Sequence, residues 1–293
     1  MTSPPLRWLA LDLNQALADG ARRDLDASAR GARWLLAAAL MLALTGLALY
    51  LLSGYHAGFA ALNSRASALP AWTWEWLTML GDERVAFALA LFFARRRPRL
   101  FWTLICAALL AAAYSRGLKS LVDAPRPPKV LDPDSFQLIG PAHRNQSFPS
   151  GHSVTAGVFF GVMVYYGRTM PRRVLFLALA VLGGLSRVAL GVHWPIDVAA
   201  GLAGGLLAAW GGVWLARRSP WGMRDPAVHL AFVCVSMVMA IGLLMDDGGY
   251  HQAAGMLQIV GGAALLAGLA SYLLLPLRRR QHCIHNDQAS GRV

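Results

Sequence analysis

Long apolar stretches, separated by short polar segments, dominate this chain from residue 34 onward. Several approach the roughly 20 apolar residues that a helix needs to cross a bilayer. We therefore predict an all-α fold, a polytopic membrane helical bundle with six core transmembrane helices and two additional C-terminal ones. The predicted spans cover residues 34–52, 77–94, 100–118, 153–166, 174–192, 196–215, 228–245 and 253–275. The second is the weakest, because Gly81-Asp82-Glu83-Arg84 interrupts its apolar run.

The same pattern divides the chain into four parts. Residues 1–33 have the leucine spacing of a cytoplasmic surface helix, with a loosely ordered tail as an equal alternative. They contain no long apolar core, so no cleavable signal peptide is predicted. Residues 34–218 form the predicted membrane core, with the motif-bearing region at 77–218. Residues 219–276 hold the two additional helices, and residues 277–293 form a cytoplasmic tail.

Composition supports a membrane protein and argues against nucleic-acid binding. Of the 293 residues, 56% are hydrophobic and only 14% are charged, whereas soluble domains carry about 25% charged residues. The formal net charge is +12, but the arginines cluster in short loops beside apolar spans, as the positive-inside rule requires. The three cysteines do not form a disulfide framework.

The arginine clusters also predict an orientation. With eight spans, all five clusters fall on one side, which is then the cytoplasmic side. They lie at residues 22–33, 95–99, 168–173, 217–224 and 278–280. The polar motifs that follow then lie on the opposite side, as does the interfacial belt predicted for Trp72, Trp74 and Trp76. We predict a multi-pass protein of the cell inner (plasma) membrane with a periplasmic site.

Three polar clusters stand at the ends of the predicted spans. The first contains Lys119 and Arg126, and the second is the tetrapeptide Pro149-Ser150-Gly151-His152. The third contains Arg187, His193 and Asp197. Two predicted membrane crossings separate the two histidines, so both lie on the same side of the membrane. The glycine pairs Gly157/Gly161 and Gly201/Gly205 would let the fourth and sixth predicted helices, on which they lie, approach closely.

These residue types suit the binding of a phosphate. Arg126 and Arg187 can each offer two parallel hydrogen bonds, and Lys119 adds a point charge. Ser150 and Gly151 precede the fourth span, where backbone N–H groups at a helix N-terminus attract anions.

The two histidines and the aspartate suit displacement at phosphorus. A neutral imidazole can attack phosphorus when a carboxylate orients its other ring nitrogen, and Asp197 lies one helical turn beyond His193. His152 is then the general acid and later the base for water. The opposite protonation states of the two histidines predict a bell-shaped pH profile.

The three clusters together resemble the type 2 phosphatidic acid phosphatase superfamily, in its bacterial membrane branch. The family pattern is a lysine, six residues and Arg-Pro, then Pro-Ser-Gly-His, then Ser-Arg, five residues, His, three residues and Asp. The chain matches each position between Lys119 and Asp197. The resemblance implies a metal-independent phosphatase without a cofactor, in which His193 is the nucleophile and His152 the acid. It also implies phosphate binding by Lys119, Arg126, Ser150, Gly151 and Arg187.

Other polar residues receive plainer interpretations. Asp123, Asp132 and Asp134 are predicted turn residues in a proline-rich loop rather than acids or metal ligands. His143 and Arg144 are predicted to be solvated, with contact to a head group as the alternative. His56 and His251 are predicted outer-loop residues, and the His282-Cys283-Ile284-His285 fragment is assigned to the tail.

The leading functional hypothesis is a lipid phosphate or diphosphate phosphatase, with a membrane lipid and the bilayer as partners and no nucleic acid. Undecaprenyl diphosphate, phosphatidylglycerol phosphate, phosphatidic acid and lipid A phosphate all fit, and the sequence does not choose among them. The alternatives are a lipid phosphotransferase using the same phosphohistidine, or a non-hydrolytic lipid transporter. A vanadium haloperoxidase ranks last, since those enzymes are soluble. Homo-oligomerisation stays open.

Overall fold

The computed structural model describes residues 4–23 and 29–281, whose regular secondary structure is helical with no strand among them. This confirms the all-α prediction. The α-helices are α1 (Pro4–Arg23), α2 (Ala29–Ser53), α3 (Phe59–Ala66), α4 (Ala71–Thr78), α5 (Glu83–Ala90), α6 (Pro98–Val122), α7 (Pro127–Val130), α8 (Gly151–Tyr166), α9 (Met170–Ala189), α10 (Pro195–Arg218), α11 (Trp221–Arg224), α12 (Pro226–Met245) and α13 (Ala254–Leu269). Short 3-10 turns lie at Met79–Gly81, Pro133–Ser135 and His251–Ala253, and a π-helical segment at Ala270–Leu274 extends α13.

Local sequence signals explain where the helices that carry the site begin. Proline occupies the first turn of α6, α10 and α12, where its fixed φ is suitable and its missing N–H is not needed. Ser150 caps α8 by accepting from the Ser153 N–H, and Asp82 caps α5 by accepting from two backbone N–H groups. Asp82 also starts a new helix after the 3-10 turn, which explains the interruption predicted near Gly81.

Five of the eight predicted spans are helices long and apolar enough to cross a membrane: Arg30–Ser53, Pro98–Val130, Pro195–Arg218, Pro226–Met245 and His251–Gln281. The other three predicted spans fall on α5, α8 and α9. Helices α5 and α8 are short, with 8 and 16 residues, and α9 carries arginines in its first turn. The multi-pass membrane bundle is therefore confirmed, while the count of eight crossings stays a prediction.

Helix α10 lies at the centre of the bundle, packed against α2, α6, α8 and α9. Its contact with α8 depends on small residues, as the paired glycines predict. A Cβ at Gly205 would lie 2.4 Å from the Val154 carbonyl oxygen and 2.9 Å from the Gly157 Cα. A Cβ at Gly201 would lie 2.7 Å from the Ser150 carbonyl oxygen. The two backbones are therefore in direct contact beside the Ser150 turn.

We expect Gly205→Ala to destabilise the protein by about 1–3 kcal/mol, because the added methyl overpacks a contact between two backbones. The matched control is Gly262→Ala in α13, where a Cβ meets nothing within 4 Å and the change should be neutral or stabilising by up to about 1 kcal/mol. Thermal unfolding in detergent measures both variants. Equal unfolding temperatures for the two would contradict this packing.

Residues 4–23 of the N-terminal segment form α1, while the assignment of residues 1–33 to a cytoplasmic surface helix stays a prediction. Leu13 and Leu17 of α1 are buried, and Asp12 forms an ion pair with Arg95 in the α5–α6 connection. Helix α1 therefore packs on the end of the bundle that carries the arginine clusters. Leu25 of the leucine pattern, and residues 282–293 with the His282 to His285 fragment, lie outside the described residues.

The two additional helices pack against each other and against α5. The connection between them, residues 246–253, lies at the end of the bundle where α8 and α10 begin, and we call it the hairpin loop. The division of the chain at residues 33, 218 and 276 stays a prediction.

Candidate active site

His193 and Asp197 meet at the start of α10. His193 lies two residues before Pro195, and Asp197 is the third residue of the helix. His193 Nδ1 is 3.3 Å from Asp197 Oδ2, and the two side chains are 2% and 0% exposed. The Trp194 N–H also donates to Asp197 Oδ2 at 2.9 Å. The carboxylate therefore fixes both the imidazole and the entry of the chain into α10, as the spacing predicts.

Two further hydroxyl groups, neither of them predicted from the sequence, bind this carboxylate. Ser147 Oγ donates to Asp197 Oδ2 and Tyr55 Oη donates to Asp197 Oδ1, each at 2.5 Å. Ser147 Oγ is also 3.4 Å from His193 Nδ1. Ser147 stands close to the Pro149 to His152 motif, which is the one signal that points to it. Tyr55 follows α2, far from every motif, and no sequence pattern reveals it.

Lys119 and Arg126 approach the same site from the C-terminal end of α6 and the turn after it. Lys119 Nζ donates to the Gln146 carbonyl oxygen at 3.1 Å, and Arg126 Nε donates to the Asn145 carbonyl oxygen at 2.8 Å. Arg126 is 9% exposed, and its Nη1 reaches the Val192 carbonyl oxygen at 3.5 Å. Both cations are thus held by neutral backbone acceptors beside His193.

The Ser150-Gly151 turn joins the first turn of α10. The Ser150 N–H donates to the Asp197 carbonyl oxygen at 3.1 Å, so the start of α8 lies against the residue that orients His193. A Cβ at Gly151 would meet nothing within 4 Å, and this N-terminal turn therefore faces open space. Free N–H groups at such a turn attract an anion.

Arg187 lies near the end of α9 and is 2% exposed. Its carbonyl oxygen accepts from the His193 N–H at 3.2 Å, which joins it to the nucleophile candidate. Its Nη1 donates to Thr78 Oγ1 at 2.8 Å and to Tyr250 Oη at 2.9 Å. The buried Nε has no hydrogen-bond partner among the described residues. A charged donor in this position is available to an incoming acceptor.

His152, in the first turn of α8, lies on the wall of a cavity. The cavity has a volume of about 410 Å³ and is bounded by α5, α6 and α8. Its lining is mainly apolar, with charged and polar side chains at Asp82, Glu83, Arg84, Ser115 and Arg116. The positive charges of Arg187 and Arg126 act on the His152 imidazole. His152 therefore stands between the cationic site and an apolar chamber.

The electrostatic environment favours the neutral form of His193. Burial, followed by the positive charges of Arg126, Arg187 and Lys119, lowers the pKa of His193 well below its ordinary value. A neutral imidazole with Nδ1–H directed at Asp197 carries its lone pair on Nε2. That arrangement is the one in which a histidine acts as a nucleophile.

His143 is exposed in its loop, as predicted for a solvated residue. Partial burial, followed by the positive charges of Arg126, Arg187 and Lys119, lowers the pKa of its imidazole. The Arg144 side chain is also exposed, and its carbonyl oxygen accepts from the Arg126 N–H. The 139–147 loop thus borders the site.

The remaining predicted loop residues stay outside it. Asp123 ends α6 in a left-handed conformation, and Asp132 caps a 3-10 turn through the Asp134 N–H, which agrees with turn roles. Among the described residues, no three metal-ligating side chains come together. His251 pairs with Asp247 on the surface. His56 is exposed in the loop between α2 and α3, as predicted, and its ring also stacks on Trp194 with the ring centroids 3.9 Å apart.

The structure thus brings all eight predicted site residues to one end of the bundle, although the role of each stays a prediction. Three motifs far apart in sequence share hydrogen bonds through Gln146, Val192 and Asp197. Such a group of fixed cations, a helix N-terminus and an oriented imidazole can bind a tetrahedral oxyanion and attack its central atom.

Comparisons with known proteins agree with this chemistry. The family model described as PAP2 superfamily matches residues 100–221. The chain is 39% identical over 109 residues to a lipid A 1-phosphatase of Rhizobium johnstonii, a match of 36% of this chain and 42% of that protein. It is 33% identical over 125 residues to an undecaprenyl-diphosphatase of Sulfolobus acidocaldarius, a match of 42% of this chain and 56% of that protein.

The matches therefore span less than two thirds of either relative. Among solved structures, the one titled "Crystal structure of Aquifex aeolicus LpxE" is 26% identical and covers 53% of this chain and 92% of that one, with a TM-score of 0.48. The matched family segment contains all three motifs, from Lys119 to Asp197. Over residues 100–221, which are less than half of its length, the chain is thus similar to the PAP2 superfamily.

Proposed function

We propose that this protein is an integral-membrane phosphatase that hydrolyses a lipid phosphate or diphosphate through a phosphohistidine on His193. The observation that carries the proposal is the pair of His193 and buried Asp197, surrounded by Lys119, Arg126 and Arg187. Among the described residues, none of these three cations has a carboxylate partner within ion-pair distance. Unpaired cations near the protein interior are unfavourable until an anion binds them.

In the proposed reaction, His193 Nε2 attacks phosphorus while Nδ1–H donates to Asp197. A bond forms between nitrogen and phosphorus, and the bond from phosphorus to the leaving oxygen breaks. His152 gives a proton to that oxygen, and the lipid alcohol or lipid monophosphate leaves. His152 then takes a proton from water, whose oxygen forms a bond to phosphorus. The bond between phosphorus and His193 Nε2 breaks, which releases inorganic phosphate and restores the neutral imidazole. Lys119, Arg126 and Arg187 bind the phosphoryl oxygens, together with the Ser150-Gly151 turn.

The cavity supports a substrate with an apolar tail. Phe87, Leu104, Ile105 and Phe159 are among its lining side chains, and Gly151 and His152 bound it at the site. A phosphate bound at the cations would therefore leave an attached hydrocarbon chain beside the chamber. Burial of apolar chain surface stabilises a complex by about 25 cal/mol per Å². The cavity therefore binds the lipid tail, and the cations bind the phosphate.

The outer-face location is part of the proposal. Helices α6 and α9 begin next to arginines and end at Lys119 and Arg187, whereas α10 begins at the site and ends at Arg217 and Arg218. The site and the arginine clusters thus lie at opposite ends of the same helices. The positive-inside rule supports a periplasmic site in the inner membrane.

The test is phosphate release by the purified full chain in detergent, with chelator and no added metal. The panel follows the relatives and the sequence analysis: lipid A 1-phosphate, undecaprenyl diphosphate, phosphatidylglycerol phosphate and phosphatidic acid. We expect turnover of at least one member, inhibition by orthovanadate as a mimic of the pentacoordinate phosphorus, and no loss with chelator. A protein that hydrolyses none of the four, or loses activity with chelator, contradicts the proposal.

The pH profile should show the lowered pKa of His193. Protonation removes the attacking lone pair, so kcat/KM must fall as the pH falls through the pKa of His193 in the free enzyme. Because that pKa is lowered, the fall should occur below about pH 6.5, the ordinary value for histidine. Arg126→Gln removes one of the charges that lower it and should move the acid limb to higher pH. An acid limb at or above about 6.5 in the wild type, or no movement in Arg126→Gln, would count against this role.

A further inference from the structure

The hairpin loop between the two additional helices reaches the proposed phosphate site. Tyr250 is the residue that makes the contact, since its hydroxyl oxygen accepts from Arg187 Nη1 at 2.9 Å. Tyr250 is 4% exposed, and the Arg187 guanidinium carbon lies 5.8 Å from the centre of its ring. The matched family segment ends at residue 221, so Tyr250 lies outside it.

From these contacts we infer that Tyr250 is a positioning residue for Arg187, and that the additional helices thereby complete the phosphate site. This inference rests on the proposed function. A guanidinium has five N–H donors in a fixed plane. Thr78 Oγ1 and Tyr250 Oη engage Nη1, whereas the buried Nε is without a partner in the described chain. Holding Nη1 therefore aims the opposite edge of the guanidinium at the phosphate.

The hairpin loop is fastened on both sides of Tyr250, which makes the positioning precise. On one side, Arg84 Nη1 donates to Asp246 Oδ2 at 2.8 Å. On the other side, the Gln252 N–H donates to Glu75 Oε2 at 2.8 Å. These bonds attach the loop to α4 and α5, the elements next to Thr78 and the cavity.

The loop that borders the site also confines the Tyr250 ring. A Cβ at Gly140 would lie 2.6 Å from Tyr250 Cε1, and a Cβ at Gly249 would lie 2.4 Å from Pro141 Cγ. The absence of side chains at Gly140 and Gly249 lets the two loops approach. The ring therefore has little room to turn its hydroxyl away from Arg187.

The experiment compares Tyr250→Phe with Tyr272→Phe in the full chain. Tyr272 is a matched control, because it belongs to the same helix pair and its hydroxyl bonds His229 Nε2 at 2.7 Å, remote from the site. The probes are orthovanadate and a short-chain phosphatidic acid in detergent micelles. Loss of one hydrogen bond to a charged group should weaken vanadate inhibition and raise KM by roughly tenfold in Tyr250→Phe. Tyr272→Phe should change both by less than about twofold.

A double-mutant cycle separates positioning from a merely structural role. Arg187→Lys keeps the charge but loses the planar fork. In that background, Tyr250→Phe should weaken vanadate inhibition by less than about twofold further, since the group it positions is gone. A further tenfold loss, or a Tyr250→Phe enzyme that differs from Tyr272→Phe only in unfolding temperature, would overturn the inference.

Failure of the proposed function and failure of the inference about Tyr250 give different experimental results. A wild type that neither releases phosphate nor binds vanadate, the binding measured by thermal stabilisation, overturns the proposed function and this inference with it. A wild type that does both, with Tyr250→Phe indistinguishable from Tyr272→Phe, overturns the inference alone.

Discussion

Replacing His193 with alanine is expected to reduce phosphate release by on the order of 10⁴-fold or more, as the loss of a nucleophile does in other covalent hydrolases. The side chain is the only group at the site that the proposal uses to form a bond with phosphorus. Its removal leaves Lys119, Arg126 and Arg187 in place. Vanadate should therefore still bind, although more weakly than to the wild type. Initial rates and vanadate-induced thermal stabilisation measure the two effects.

His229→Ala is the control for the loss of a buried imidazole. His229 is 0% exposed and bonds Tyr272, away from the site, so its removal should lower the unfolding temperature while turnover per folded molecule stays near that of the wild type. If His193→Ala keeps more than about one tenth of wild-type turnover, a loss of under about 1.4 kcal/mol in transition-state stabilisation, His193 is not the nucleophile.

Asp197→Asn should lower kcat by on the order of 10³–10⁴-fold, as removal of the charge that orients a catalytic histidine does in serine proteases. The amide is nearly the same size, so packing at the start of α10 should survive. An amide nitrogen placed at Oδ2 faces the Nδ1–H of His193 and the Trp194 N–H, both donors. The imidazole then loses the acceptor that fixes its tautomer and stabilises its positive charge.

Asp225→Asn is the matched control, because Asp225 caps the N-terminus of α12 by accepting from the Ala227 and Val228 N–H groups. Its replacement removes a similar carboxylate from another helix start. We expect a loss of stability of about 1 kcal/mol and unchanged kcat. Equal kinetic effects in the two variants would mean that Asp197 acts only as a helix cap.

The sequence was sufficient to locate the motifs of the candidate site, because their residue types are those that bind an oxyanion and attack its central atom. Lys119, Arg126, His152, His193 and Asp197 all stand at helix ends, where the ends of apolar spans can be read from the pattern. Their convergence at one end of the bundle agrees with the even number of crossings predicted between them. The family match to residues 100–221 agrees with this reading.

The supporting residues were not predictable in the same way. Tyr55, Thr78 and Tyr250 reach the site from the turn after α2, from α4 and from the hairpin loop. These segments are joined to the motifs only by tertiary packing. A tyrosine after an apolar span is common at a membrane interface, so nothing in its sequence context distinguishes a surface tyrosine from one bound to Asp197. Ser147 differs only because it stands beside a motif.

The span prediction shows a physical limit of the apolar pattern. Helix α5 packs against α12, and helix α8 packs against α6 and α10. Both helices are also apolar. Apolar composition alone does not separate a short helix packed inside the bundle from one that faces lipid along its whole length. Length and crossing count therefore depend on neighbours that a single sequence does not reveal.

The most direct test of the phosphohistidine on His193 is to trap it. Wild-type enzyme mixed with a ³²P-labelled lipid phosphate and quenched in alkaline denaturant should retain label on the peptide that contains His193, and acid should release it. His193→Ala should carry none. Label on His152 in the wild type, or wild-type enzyme that turns over substrate without retaining label at any quench time, would contradict the account.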